Sequence, residues 1–135
     1  MLQVYSLNQT LTDGSYIPLN NIVIEKGRTA VLAAPATIQL NKAGVYMIHC
    51  NANVTGDAAG DGTIQLAKNG VGQAGAQSTE TLVLNATSAL SFEALVQVPF
   101  TNCDCCCVTS PTTIQILYSG VNATGDINVL VTKIC

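Results

Sequence analysis

Hydrophobic side chains recur at every second position in several stretches of the chain. From Val45 to Val54, one phase holds Tyr46, Ile48, Cys50, Ala52 and Val54. Between Ala89 and Pro99 it holds Leu90, Phe92, Ala94, Val96 and Val98, opposed by Ser91, Glu93 and Gln97. Ile64 and Leu66, then Ile114, Ile116 and Tyr118, then Ile127, Val129 and Val131 repeat the pattern. Successive side chains of a strand point to opposite faces, so each stretch predicts a strand with one face in a core. No stretch carries helical spacing.

Turn-forming residues separate these runs: Asp13-Gly14, Asn20-Asn21, Lys26-Gly27, Gly56-Asp57, Gly60-Asp61-Gly62, Asn69-Gly70, Ser119-Gly120 and Gly125-Asp126. Short strands at close spacing predict an all-β antiparallel sandwich. Residues 1–15 stand apart from the domain expected over 16–135, because Leu2, Val4, Leu7 and Leu11 give a weaker pattern. They read either as an N-terminal arm that docks on another protein or as a leading strand.

The second phase of these strands is not uniformly polar. Val45, Met47 and His49 share it in one strand, Leu117 in another and Leu130 in a third. A sheet with water on one side should be polar there. These five residues are therefore the candidate interface, covered by a second layer or by a partner subunit; the alternative is that they are the single surface hydrophobics normal on any protein.

Composition strengthens that reading. Hydrophobic residues make up 48% of the chain and charged ones 10%, against a usual charged share of about 25%. Disorder is excluded, since it needs low hydrophobicity and high charge. Five basic against eight acidic residues give a net charge of −3. That leaves no basic footprint for nucleic acid. The apolar run Ala30–Ala36 contains Pro35 and falls far short of the ~20 residues of a spanning helix, so no membrane is expected. No basic start followed by an apolar run marks a secretory signal.

Four of six cysteines cluster at Cys103, Cys105, Cys106 and Cys107; the others are Cys50 and Cys135. Disulfides among Cys103, Cys105, Cys106, Cys107 and Cys135, or between subunits, are one reading; neighbouring cysteines bridge each other poorly, which favours partners elsewhere. A metal held by Cys103, Cys105, Cys106 and Cys107 is another, although the spacing lacks the paired Cys-x-x-Cys of a zinc ribbon. A reduced loop that only packs is the third. Cys50 shares the core phase and is expected to be a small buried hydrophobe.

Little else suggests catalysis. His49 and Cys50 are strand neighbours and point apart, and a Cys105–His49 dyad is disfavoured because a lone strand histidine is usually structural. The carboxylates form no pair suited to acid–base work. The loop from Gly56 to Gly62 has two carboxylates but not the calcium-loop pattern, so it reads as a turn. Asn-x-Thr sequences begin at Asn8, Asn53, Asn85 and Asn122, as expected by chance in a chain rich in both residues. The chain is expected to have no catalytic residues, no cofactor and no enzymatic activity.

The order of elements carries a resemblance. Gly44-Val45-Tyr46 resembles the strand opening of the tumour necrosis factor-like and complement-head-like jelly rolls, in which the Tyr packs inward. Leu66-Ala67-Lys68-Asn69-Gly70 resembles their Asn-Gly hairpin, Leu90–Val98 their next long strand and Asp126–Ile134 their closing strand. The resemblance covers Tyr16 to Cys135 and is closest in flavour to the bacterial and phage branch. It implies a jelly roll of about ten strands assembled as a homotrimer. The chain departs from the family at Phe100–Pro111, where the cysteines replace a tight turn, and has no collagen-like repeats. The implied function is that of a virion structural protein, a capsid decoration or head-fibre trimer of a tailed phage. It would sit on the virion surface, docked on a capsid or other virion protein through residues 1–15. The alternative is a receptor- or sugar-binding surface module, such as a fibre tip or spore-surface head.

Overall fold

The computed structural model describes residues 1–99 and 107–134, with the backbone alone over 107–111. All regular elements among them are strands: β1 (Leu2–Leu11), β2 (Ser15–Tyr16), β3 (Asn21–Glu25), β4 (Ala30–Ala34), β5 (Thr37–Lys42), β6 (Gly44–Gly56), β7 (Gly60–Lys68), β8 (Val71–Leu82), β9 (Thr87–Val98), β10 (Cys107–Gly120) and β11 (Ala123–Lys133). The first sheet runs β3-β1-β11-β6-β9 and the second β4-β5-β10-β7-β8, with the two-residue β2 added beside β10. The paired strands are antiparallel in both sheets. The chain crosses repeatedly from one sheet to the other, as in a jelly-roll sandwich.

The alternating residues meet between the sheets. Tyr46, Ile48, Cys50 and Val54 of β6, Leu90 and Phe92 of β9, and Val129 and Val131 of β11 are buried from the first sheet; Ile64, Leu66, Ile114, Ile116 and Tyr118 are buried from the second. Each such side chain contributes about 1.5–3 kcal/mol by leaving water. Gly44 opens β6 at φ 145, and two residues on the Tyr46 hydroxyl donates to the Lys42 carbonyl at 2.7 Å. Burial pushes the Tyr46 phenol above its ordinary range, with the Lys42 hydrogen bond pulling the other way. Asn69 and Gly70 join β7 to β8 with φ 52 and 83. Positive φ at both central residues is the requirement of the favoured two-residue hairpin turn.

Residues 1–15 are not a detached arm. β1 lies inside the first sheet, paired with β11 on one edge and β3 on the other, and Leu2 and Val4 are fully buried. Of the two readings for residues 1–15, an arm or a leading strand, the structure shows the strand.

Three expected turns or loops also change. Gly125-Asp126 lies within β11, opposite a slip in register between Ser6 and Gln9 of β1. Asn8 in this bulge has φ 53, and its N–H donates to Asp126 Oδ1 at 2.7 Å. A Cβ on Gly125 would stand 2.8 Å from the Asn53 carbonyl oxygen. The glycine thus serves a close backbone approach rather than a turn. Gly60-Asp61-Gly62 is the start of β7, and the turn lies just before it. The loop expected over Phe100–Pro111 ends earlier, because β10 begins at Cys107. β10 pairs Cys107 with Lys42 and then Thr112 with Leu40, and this slip leaves room for Pro111, which has no N–H for a ladder. The disulfide and metal candidates Cys103, Cys105, Cys106 and Cys135 lie outside the described residues, as does the Cys105–His49 dyad; the side chain of Cys107 lies outside them too.

Candidate functional site

Strand pairing places the outward side chains of the first sheet in rows. Leu95 of β9 faces Met47 of β6, and Met47 faces Thr132 of β11. The next row runs Glu93, His49, Leu130, Gln3 and Ile24 across β9, β6, β11, β1 and β3. Beyond it come Ser91, Asn51, Asn128 and Tyr5, and at the far end Thr87, Thr55, Thr124 and Thr10. The apolar side chains of the face, Leu95, Met47, Leu130 and Ile24, thus lie toward one end among Thr132, Glu93, His49 and Gln3, and the other end is built of amides and hydroxyls. Glu93 is the one carboxylate in these rows; Asp126 lies opposite Asn53 in the row between the last two.

The apolar end is exposed to an extent that a solvated surface does not require. Leu95 is 67% exposed and Met47 37%, and at the opposite edge of the sheet β3 exposes Ile22, Val23 and Ile24. Exposed apolar side chains are ordinary when scattered and informative when gathered. Between the two ends, His49 Nδ1 lies 3.0 Å from Glu93 Oε1, and its Nε2 lies 3.2 Å from Asn51 Oδ1.

Of the five expected interface residues, Val45, Met47, His49 and Leu130 lie on this face. Leu117 does not join them. It belongs to β10 and stands beside Tyr16 on the outer face of the second sheet, so the group expected to converge divides between opposite sides of the sandwich. Leu95, the most exposed side chain of the patch, escaped the sequence reading although it occupies the outward phase between Glu93 and Gln97. The β3 residues escaped because three consecutive apolar positions, Ile22 to Ile24, carry no alternation.

The Asn-x-Thr sequences acquire a structural meaning. Their threonines, Thr10, Thr55, Thr87 and Thr124, form a single row across four strands, with Thr55 and Thr87 hydroxyls 2.9 Å apart. In Asn53-Val54-Thr55 the two polar residues share the outward phase around a buried Val54, which is the period of a strand.

The chemistry of the described residues is sparse. Cys50 is fully buried, and burial pushes its thiol up to about 12. A thiol held neutral is a poor nucleophile, and its His49 neighbour projects from the opposite face. No group of three His, Cys, Asp or Glu converges as a metal site among the described residues.

No family model matches the chain, and no curated protein matches it in sequence. Solved structures are similar in fold. The globular domain of the zebrafish complement 1qA protein superposes with a TM-score of 0.67 at 10% identity, covering 96% of this chain and 94% of its own. Murine APRIL at pH 8.5 gives 0.61 at 11%, with 98% of each chain covered. The PRD1 vertex protein gives 0.53 at 14%, covering 99% of this chain and 96% of its own. The protein is thus an antiparallel β-sandwich of the jelly-roll class. More particularly, its fold is the one shared by the complement 1qA globular domain, APRIL and the PRD1 vertex protein.

Proposed function

We propose that the chain is a non-catalytic virion structural protein, a homotrimeric capsid decoration or head fibre of a tailed phage. The observation that carries this reading is the outer face of the first sheet, where Leu95 and Met47 stand exposed against each other, next to a half-buried Leu130. A second copy of the chain is the partner that covers it. A mechanical role needs stable assembly rather than a reactive centre. The fold shared with the PRD1 vertex protein supports a place on a virion. Docking on that virion would use side chains of residues 1–15 that project from β1, such as Leu7, without breaking its ladders.

Native mass spectrometry tests the assembly, and immunogold electron microscopy of purified particles tests the location. A trimer decorating particles is expected. A monomer at micromolar concentration, or a trimer absent from particles, overturns the respective half of the reading.

The second reading, a receptor- or sugar-binding module, draws on the outer face of the second sheet. There Tyr16 and Leu117 stand beside Gln65 and Gln77 across the ladder, with Gln115 and Gln39 on the neighbouring rows. Aromatic and amide groups side by side suit neutral hydroxyl-rich ligands. Binding to a glycan array that Tyr16→Ala abolishes would favour it.

A further inference from the structure

We infer that trimer assembly is governed by the protonation of His49. The inference rests on the trimer reading above, with a second copy covering the outer face of the first sheet. His49 lies in the row next to Met47 and Leu95, between Glu93 on β9 and Leu130 on β11. Its Nδ1 is 3.0 Å from Glu93 Oε1, and its Nε2 is 3.2 Å from the Asn51 side-chain oxygen.

Both ring nitrogens thus face oxygen acceptors. A neutral imidazole donates from one nitrogen only, whereas the imidazolium donates from both and satisfies the two oxygens together. Among the described residues, Glu93 is the one charged group facing the ring. β11 presents Leu130, β1 beyond it presents Gln3, and β6 itself presents Met47 and Asn51. In the separate protomer, the histidine side chain is 36% exposed and the glutamate 68%, so water solvates the pair in either protonation state.

A covering copy removes that water. A carboxylate beside a neutral imidazole then carries an unbalanced charge into the interface, while a carboxylate beside an imidazolium enters as a neutral pair. Assembly therefore raises the proton affinity of His49. Stability tied to such a rise is present at lower pH and lost as pH climbs. The trimer tightens as pH falls from 8 to 6, the range in which histidines change charge. A rise of one unit in proton affinity corresponds to about a tenfold gain per protomer.

Sedimentation equilibrium of the full chain at pH 6 and pH 8 tests this, with circular dichroism confirming the fold of each variant. Wild type should assemble at lower concentration at pH 6. His49→Gln should remove the difference. Glu93→Gln should invert it, because the imidazolium then enters the interface without its counter-charge. A merely structural role for either side chain would weaken assembly equally at both pH values, and that result overturns the inference. A wild-type trimer with the same stability at pH 6 and pH 8 also overturns it while leaving the trimer reading intact. A wild-type monomer at every concentration and pH removes the trimer reading and the inference with it.

Discussion

The two sheets share one interior and present different exteriors. Outward positions of β10, β7 and β5 are mostly glutamine and threonine: Gln115, Gln65 and Gln39, with Thr113, Thr63 and Thr37. Outward positions of β6, β9 and β11 include Met47, Leu95 and Leu130. A β-sandwich needs only its facing surfaces to be apolar. Both exceed that minimum, the second at Tyr16, Leu117 and Val71, and the first with Leu95 directly against Met47. On the first sheet the excess lies toward one end of the face, and what it teaches concerns a partner rather than the fold.

The largest effects should ignore the contrast. Phe92→Ala under the first sheet and Ile116→Ala under the second should each cost several kcal/mol, about 3–5 for the phenylalanine and 2–5 for the isoleucine. Chemical denaturation monitored by circular dichroism measures both. A cost below 1 kcal/mol for one alone would mean that the interior is not shared.

Next in size, Met47→Asp combined with Leu95→Asp should weaken trimer formation by at least about 100-fold, since the new carboxylates enter an interface without partners. Leu117→Asp with Gln115→Asp, on the other sheet, should leave assembly within about threefold, as is usual for solvated surface changes. Native mass spectrometry across a dilution series distinguishes the two, and equal sensitivity of both faces would abolish the comparison.

Alkaline pH sharpens it from inside the first sheet. The Cys50 thiol rises from 9.0 to about 12 in the folded chain because burial penalises the thiolate. The unfolded chain ionises first, so the stabilisation is complete below pH 9 and disappears as pH approaches 12. Between these limits the group contributes a loss of about 1.4 kcal/mol per pH unit. Cys50→Ala should flatten the urea-midpoint profile over pH 9 to 11. The smallest expected effect is at the bulge. Asp126→Ala leaves the Asn8 N–H without its acceptor at an exposed site and should cost about 0.5–1.5 kcal/mol, read as a small fall in melting temperature.

Much of this architecture was legible in the chain. Alternation in β6, β9, β10 and β11 identified Tyr46, Phe92, Ile116 and Val129 as interior, and all are buried. Asn69-Gly70 marked its hairpin because few residues tolerate positive φ twice in succession. Strand β8 was not legible: Val71–Leu82 is rich in Gly, Ala, Gln and Thr, and its ladder with β7 slips between Gln65 and Ala67. Edge strand β3 was hidden for the opposite reason, an apolar run without a phase.

The candidate site divides in the same way. That Met47, Leu117 and Leu130 point away from the interior follows from local backbone geometry, because adjacent side chains of a strand must alternate. Which sheet each strand joins is decided by pairings between distant segments, β11 against β1 and β6, β10 against β2, β5 and β7. Those pairings separate Leu117 from Leu130 and bring Leu95 against Met47 and Glu93 against His49. A period of two records the side of a strand and carries no information about its neighbour, so only the tertiary structure could assemble the face.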